Sequence, residues 1–197
     1  MVSFLTKNNF DAVMVTDHNK ITQINWPQGV VIPASEIATA NGDVIGIFMT
    51  EDVPRGLSIE ETSKRIHSQG GLVIAAHPAD KLRREAMGTE ALLKNIHCFD
   101  IIETYNSRNL FDASNRQARK IAEELNLPQI TGSDAHTLGE LPNTFMEMSN
   151  FSTSRQFLES LATATSKRKP SGPIPHIKTV VIKLKKKIVR LQKRLRL

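Results

Sequence analysis

The sequence predicts an α/β fold, most simply an incomplete (β/α) barrel, and two features of its 197 residues lead to that prediction. Short apolar runs alternate with helical patterns along most of the chain. Several of these runs are continuously apolar, as is typical of strands that a parallel sheet buries on both faces. Strands that alternate with helices form parallel sheets whose crossover connections are helical.

Seven apolar runs are predicted to be strands. They are residues 10–16, 30–33, 44–48, 72–76, 100–104, 129–131 and 144–148. Six of them are assigned to the barrel, and residues 44–48 are predicted to be an excursion outside it. The strands at both ends of the series would have unpaired edges, which favour association with another chain.

Helix signals lie between the predicted strands. Ser58 and Glu61 form a capping box before the segment ETSKRIHSQ, which a pair of glycines ends. Asp112 is a candidate N-cap for a helix that ends before Pro128. Residues 153–165 form a third amphipathic candidate.

The composition changes after residue 165, which divides the chain into a barrel domain (1–165), a linker (166–176) and a basic amphipathic helix (177–197). Twelve of the 26 Lys and Arg residues lie from Lys167 onward, where there is no Asp or Glu. The apolar stripe of the helix consists of Ile177, Val181, Leu184, Ile188, Leu191 and Leu195. The tail is therefore expected to contact nucleic acid or an anionic membrane, although a solvated or coiled-coil helix is an equally good interpretation.

Several protein classes are excluded by composition. The single cysteine, Cys98, rules out a disulfide framework. No apolar stretch approaches the roughly 18–20 residues of a membrane span, and the first residues lack the pattern of a signal peptide. A cytoplasmic location is the resulting expectation.

Metal-ligand side chains follow four of the predicted strands. They are Asp17 and His18, Glu36, His77, and Asp134 with His136. Active sites form where the C-terminal ends of parallel strands converge, and imidazoles with carboxylates suit zinc, manganese and iron. Each residue alone is more often a cap, turn or surface residue, so the hypothesis depends on recurrence at four strand ends.

The segments TDHN, GGLVIAAHP, IIETYNSR and GSDAH occur in the order of motifs of the PHP (polymerase and histidinol phosphatase) family, which the chain resembles over about residues 10–148. The resemblance implies a TIM-like (β/α)7 barrel with two or three divalent ions, Mn, Zn or Fe. His18 would bind one ion and Glu36 would bridge two, while His77 would complete a shell. Asp17 would be a ligand or would orient His18.

The resemblance also implies roles in the reaction. Asp134 and His136 would complete the metal shells and are the candidate catalytic residues that manage the proton. Asn106 and Arg108 could face the substrate, although a structural ion pair is an equally good interpretation of Arg108. The expected activity is hydrolysis of a phosphomonoester or phosphodiester by metal-activated water, on a phosphorylated small molecule or a nucleic-acid end.

One motif of the family has no counterpart in this sequence, namely a first strand that ends in His-x-His. Two imidazoles are then missing, so at least one ion is expected to bind poorly. A late start codon, a truncated gene and a partner segment that fills the gap are all open explanations. The alternative function is therefore a catalytically inactive binding module that acts through its basic tail, and an amidohydrolase of similar metal chemistry is a third hypothesis.

Overall fold

The computed structural model describes residues 1–172, which form a mixed α/β fold around a curled, half-barrel sheet. The six strands of this sheet follow one another in chain order. They are Ala12–Val15 (β1), Val30–Thr39 (β2), Gly42–Ile47 (β3), Leu72–Ala75 (β4), Ile101–Asn106 (β5) and Gln129–Gly132 (β6). β1 is parallel to β2, and β4, β5 and β6 are parallel to one another. The α/β class is confirmed, and the seven-stranded form of the barrel stays a prediction.

The prediction that residues 44–48 leave the barrel is wrong. β3 turns back along β2 as an antiparallel hairpin, and it also pairs antiparallel with β4. Gly42 follows the turn with a φ of +115°, where a Cβ atom would lie 2.4 Å from the Met87 Cα atom. The reversed direction of β3 brings its N-terminal end to the edge of the sheet where the neighbouring strands have their C-terminal ends.

Helices cover the sheet. Among residues 1–172 the α-helices are Val2–Lys7 (α1), Ile59–His67 (α2), Gly88–Lys94 (α3), Asp112–Glu124 (α4) and Ser154–Leu161 (α5). The Ser58 side chain accepts a hydrogen bond from the Glu61 N–H at 3.1 Å, so α2 begins as predicted. Asp112 does not cap α4, because its carboxylate pairs with Arg116 and the N-cap residue is Phe111. No helix in this part of the chain is long and apolar enough to cross a bilayer.

A second sheet has two strands, Phe145–Glu147 (β7) and Thr165–Lys167 (β8), which pair antiparallel. The strand predicted at residues 144–148 therefore exists, but its ladder is to β8 instead of to the main sheet. The Thr131 N–H of β6 donates to the Met146 sulfur at 3.3 Å. β7 consequently lies beside β6, joined to it by this side-chain contact.

The segment predicted to be a linker, residues 166–176, begins inside β8. The Thr144 hydroxyl donates to the Lys169 carbonyl at 3.0 Å, and the Ser171 N–H donates to the Ser107 carbonyl at 2.8 Å. Residues up to Ser171 are thus attached to the body of the protein. The predicted helix at 177–197 lies outside the described residues, so the division into three parts stays a prediction.

Alternation along the strands gives the sheet two apolar faces. In β4, Val73 packs with Ile37, Ile66 and Ile102 in one buried cluster, which α2, α3 and α4 complete. The opposite face contains Ile74 and the buried Phe157 of α5. A strand that is buried on both faces has a continuous apolar sequence, which is why β4, LVIA, can be recognised in the sequence.

Candidate metal centre

Polar side chains from several strands meet in one pocket of about 400 Å³. It lies beyond the C-terminal ends of β1, β5 and β6 and beside the beginning of β3. Glu36 borders it from inside β2, which continues to Thr39, so the prediction that Glu36 follows the end of a strand is wrong. Its walls include His18, Glu36, Asp43, Asp80, Arg83, Arg84, Arg108, Asp134 and His136. The walls carry both carboxylates and guanidinium groups. The carboxylates and imidazoles form two clusters, and a guanidinium group belongs to the second.

The first cluster consists of His18, Glu36, Asp43 and His77. Donor atoms of His18, Glu36 and Asp43 all lie within 4.8 Å of one another. His18 Nδ1 is 3.4 Å from Glu36 Oε2, and His77 Nε2 is 3.0 Å from Glu36 Oε1. The His77 side chain is 2% exposed and that of His18 is 64% exposed, so the cluster extends from the interior to solvent.

Strand geometry explains why these side chains meet. The parallel pairing of β1 and β2 continues beyond β1 through a bridge between His18 and Glu36. The Asn19 N–H donates to the Glu36 carbonyl at 2.8 Å. Asp43 joins them because it stands near the beginning of the reversed strand β3, where the Asp43 N–H donates to the Glu85 carbonyl at 2.8 Å.

Negative charge is in excess in the first cluster. Burial, followed by repulsion from the Glu36 carboxylate, raises the pKa of Asp43 to about 6. Burial alone would lower the pKa of His77, but the hydrogen bond with Glu36 and the nearby Glu103 carboxylate raise it overall. Both shifts mean that the cluster favours additional positive charge.

The spacing of donor atoms in the first cluster fits a divalent cation. Ligand bonds of about 2.1 Å place neighbouring ligand atoms about 3.0–3.4 Å apart in octahedral or tetrahedral shells. The 3.4 Å between His18 Nδ1 and Glu36 Oε2 lies within this range, and a ligand atom of Asp43 lies within 4.8 Å of both residues' ligand atoms. The buried His77 Nδ1 atom has no hydrogen-bond partner among the described residues, an arrangement that a purely structural histidine rarely adopts. Two imidazoles with two carboxylates suit Mn, Fe or Zn.

The second cluster consists of Asp134 and His136, together with Arg83, which is bound to Asp134. Arg83 Nη2 lies 2.7 Å from Asp134 Oδ2, which also accepts from Asn106 Nδ2 at 3.3 Å. His136 Nδ1 is 3.6 Å from Asp134 Oδ1. Burial would raise the pKa of Asp134, but the Arg83 guanidinium outweighs it and lowers that pKa.

Glu103 contacts residues of both clusters from the buried side of the site. It is a buried β5 residue that accepts hydrogen bonds from the His77 N–H at 2.7 Å and from Asn106 Nδ2 at 3.2 Å. A Cβ atom at Gly132 would lie 2.0 Å from its Oε1 atom, so a larger residue at that position of β6 would displace the Glu103 carboxylate. Burial raises the pKa of Glu103.

Glu140 holds the loop that carries His136. Its Oε2 atom accepts from the N–H groups of His136 and Thr137 at 3.1 and 2.9 Å. Its Oε1 atom lies 3.2 Å from Arg108 Nη1 in an ion pair whose side chains are 3% and 5% exposed. Arg108 also lines the pocket, so its ion pair connects Glu140 to the pocket wall.

Two of the predicted ligands have a left-handed backbone conformation. His77 and Asp134 have positive φ values of 31° and 48°, each shortly beyond a buried strand. Residues other than glycine are uncommon in this region, but Asn, Asp and His adopt it several-fold more often than the rest. Phe48, which has no predicted role, also has a positive φ, so this conformation by itself does not mark a ligand.

Four of the six predicted ligands, His18, Glu36, Asp134 and His136, line the pocket, and His77 contacts Glu36 behind its wall, whereas Asp17 is not among the lining residues. Asp17 is exposed, and its carboxylate accepts a hydrogen bond from the Thr22 hydroxyl. Asn106 is buried and donates to Glu103 and Asp134, a position from which it orients carboxylates. Asp43, Arg83, Glu103 and Glu140 have no role in the sequence-based prediction. Only Glu103 carried a signal, because it lies within the motif IIETYNSR.

Comparison with known proteins gives one family model and two curated relatives. The model described as PHP-associated matches residues 112–165. The uncharacterized protein MJ0417 of Methanocaldococcus jannaschii is 35% identical over 141 residues, which are 68% of this chain and 56% of that protein. The uncharacterized protein MJ1587 of the same organism is 34% identical over 126 residues, 60% of this chain and 72% of that protein. The chain thus spans about half to three quarters of the length of these relatives.

Solved structures share the fold at low sequence identity. PsfC from Pseudomonas syringae superposes with a TM-score of 0.62 at 16% identity, covering 95% of this chain and 88% of PsfC. A two-domain Bacteroides vulgatus protein containing a predicted PHP-like metal-dependent phosphoesterase gives 0.62 at 18%, covering 85% of this chain and 59% of that one. Endonuclease Q, in complex with a 27-mer duplex that has an abasic lesion at its active site, gives 0.53 at 14%, covering 82% and 50%. These similarities establish the fold.

Proposed function

Since this chain belongs to the PHP (polymerase and histidinol phosphatase) family, we propose that it is a divalent-metal-dependent phosphoesterase. The observation that carries the proposal is the first cluster, whose excess negative charge and donor spacing suit a cation at the end of a buried sheet. The cluster opens on a pocket that also contains guanidinium groups, which suit phosphate oxygens.

The first cluster would hold the ion through Glu36, His77, His18 and Asp43. A divalent ion supplies Lewis acidity and lowers the pKa of a bound water from 15.7 towards about 7. Two or three ions of Mn, Zn or Fe are the complement that the family resemblance implies, and Glu36 would be shared between two of them. Asp17 is not brought to the cluster, so its role as a ligand is not part of this proposal.

In the second cluster, Asp134 and His136 would complete the metal shells, and one of these two residues would also manage the proton. His136 is 41% exposed and stands beside Asp134, so it can exchange a proton with solvent and with a leaving alkoxide. Asp134 would keep the imidazole oriented. Asn106 contacts carboxylates and Arg108 pairs with Glu140, so both fit a role in positioning the pocket, and direct contact with substrate stays a prediction.

A phosphomonoester or phosphodiester is the proposed substrate, either a small molecule or a nucleic-acid end. The bound duplex in the Endonuclease Q structure supports including nucleic acid in the search, although that likeness extends only to the fold. A cytoplasmic location and self-association through the outer edge of β1 remain parts of the proposal. The binding role predicted for the tail falls on residues 177–197, outside the described part of the chain.

The test is Mn²⁺-dependent hydrolysis by the purified chain of p-nitrophenyl phosphate, bis-p-nitrophenyl phosphate and a 5′-phosphorylated oligonucleotide. We expect turnover that EDTA abolishes and that His136→Ala reduces by about 100-fold or more. Metal analysis of the same samples is the control. Stoichiometric Mn²⁺ without hydrolysis of any of the three substrate classes would contradict the proposal and favour the inactive binding module.

A further inference from the structure

Arg83 lies inside the candidate metal centre instead of at its rim. Its side chain is 20% exposed, and its Nη2 atom is 2.7 Å from Asp134 Oδ2. Its Nε atom is 3.6 Å from Asp80 Oδ2. A guanidinium keeps its charge under all ordinary conditions, so the centre already contains one permanent cation.

The loop between β4 and α3 fixes Arg83 in this place. Asp80 Oδ1 accepts from the Leu82 N–H at 3.0 Å, and the Ala86 N–H donates to the Arg83 carbonyl at 3.1 Å. Two residues further along, the Glu85 carbonyl accepts from the Asp43 N–H of the first cluster. One short loop therefore contacts both clusters, with its guanidinium directed at the second.

Asp134 is the residue that both the Arg83 guanidinium and a metal ion would contact. Its Oδ2 atom already has two donors, Arg83 at 2.7 Å and Asn106 at 3.3 Å. A metal ion that takes this carboxylate would stand beside the guanidinium, and two neighbouring cations repel each other strongly where burial limits screening. An ion that binds Asp134 Oδ2 would have to displace Arg83 from that oxygen, and an ion at Oδ1 would be repelled by the guanidinium.

We propose that Arg83 is a built-in counter-cation that competes with metal for Asp134, so that the first cluster loads before the second. This inference rests on the proposed metal-dependent function. Arg83 leaves Asp134 when an ion arrives there, and it remains on the pocket wall. From that position a guanidinium binds phosphate oxygens through two parallel hydrogen bonds. Arg83 is then a positioning residue for substrate only in the fully loaded centre.

The chain offers a matched control. Arg84 is the next residue of the same loop, lines the same pocket and is exposed. Removing either side chain changes the net charge of the pocket by the same amount, but only Arg83 forms the ion pair with Asp134. A difference between the two variants therefore reports the contact and not the long-range field.

The experiment is Mn²⁺ titration by calorimetry of the wild-type chain and of R83Q, R84Q, R83K and R83Q/D134N. We expect R83Q to bind Mn²⁺ about tenfold more tightly at the weaker site, a coupling of ordinary size. R84Q should change that affinity by less than about threefold, R83K should resemble the wild type, and R83Q/D134N should lose the gain. The melting temperature of metal-free R83Q should fall, and Mn²⁺ should raise it by more than in the wild type.

Equal affinities in the wild type and R83Q would overturn the proposal while leaving metal-dependent function intact. Equal gains in R83Q and R84Q would also overturn it, because they would show a general charge effect. A gain that persists in R83Q/D134N would place the competition at another carboxylate and overturn it as well. If none of the folded proteins binds Mn²⁺, the proposed function and this inference both fail.

Discussion

The two clusters of the pocket contain similar residues but differ in what balances their negative charge. In the first cluster, burial and then repulsion from the Glu36 carboxylate raise the pKa of Asp43 to about 6. In the second, the Arg83 guanidinium lies against Asp134 and lowers its pKa. The first cluster is therefore short of positive charge, and the second is already neutralised.

This difference shows that ligand-type residues at strand ends are not equally ready to bind a cation. A buried carboxylate whose pKa is raised has too little positive charge near it, and a bound divalent ion would provide that charge. A carboxylate in a close ion pair must first lose that pair, which costs part of the binding free energy. Sequence motifs alone treat both carboxylates alike, whereas the contacts around each one separate them.

The largest expected effect comes from removing Glu140, whose side chain holds the loop of the second cluster. We expect Glu140→Ala to reduce the free energy of unfolding by about 3–5 kcal/mol, because it breaks a buried ion pair with Arg108 and removes the acceptor of two loop N–H groups. Urea unfolding measures the change. The control is Arg116→Ala, which breaks an exposed pair and should cost at most about 1 kcal/mol. Equal costs for the two variants would show that Glu140 is no anchor.

The next effect tests which carboxylate holds the ion in the first cluster. Glu36→Gln should weaken Mn²⁺ binding by about 100-fold or more, because Glu36 contacts both imidazoles of that cluster. Asp17→Asn is the matched control, since Asp17 lies on the neighbouring strand end but is bonded to Thr22. We expect its effect to stay below about threefold. A larger loss in Asp17→Asn than in Glu36→Gln, measured by calorimetry, would restore Asp17 as the ligand.

Much of this centre could be predicted from local sequence. His18, His77 and Asp134 each follow a run that is apolar enough to be recognised as a buried strand, and parallel strands present their C-terminal ends together. Their meeting at one pocket follows from that rule, and their function as ligands stays a prediction. The α/β class followed from the same alternation, while the reversed direction of β3 did not.

The remaining residues depend on contacts between distant parts of the chain. Asp43 reaches the first cluster only because β3 runs antiparallel, and residues 44–48 give no sign of direction. Arg83 reaches Asp134 through a loop whose course is set by the Asp43–Glu85 backbone bond. Glu140 pairs with Arg108 across 32 positions of sequence. Such pairings are decided by tertiary packing, which a local pattern does not encode.

A smaller effect tests the excess negative charge of the first cluster. One substitution should lower Mn²⁺ affinity and raise the melting temperature of the metal-free protein. Asp43→Asn should weaken Mn²⁺ binding about tenfold, because it replaces a carboxylate by a neutral amide oxygen and so removes one negative charge. The same change should raise the melting temperature of the metal-free protein by about 3 °C, because the repulsion between Asp43 and Glu36 disappears. Calorimetry and thermal unfolding in EDTA measure the two changes. A fall in both quantities would mean that Asp43 stabilises the metal-free fold and that the first cluster is not strained.

The smallest expected effect is a difference in the number of protons released when Mn²⁺ binds, which tests whether Asp43 is a ligand. Its pKa of about 6 is raised, so the folded protein binds more protons than the unfolded chain between about pH 4 and 6, and this group's contribution to stability is lost as pH rises through 6. Mn²⁺ binding should therefore release about 0.8 more proton from the wild type than from Asp43→Asn at pH 5.5, but only about 0.1 more at pH 7. His77, whose pKa is also raised, is present in both proteins, so the difference between them reports the change at residue 43 together with its effect on His77. Calorimetry in two buffers of different ionisation enthalpy gives the count, and equal release by the two proteins at pH 5.5 would remove Asp43 from the metal shell.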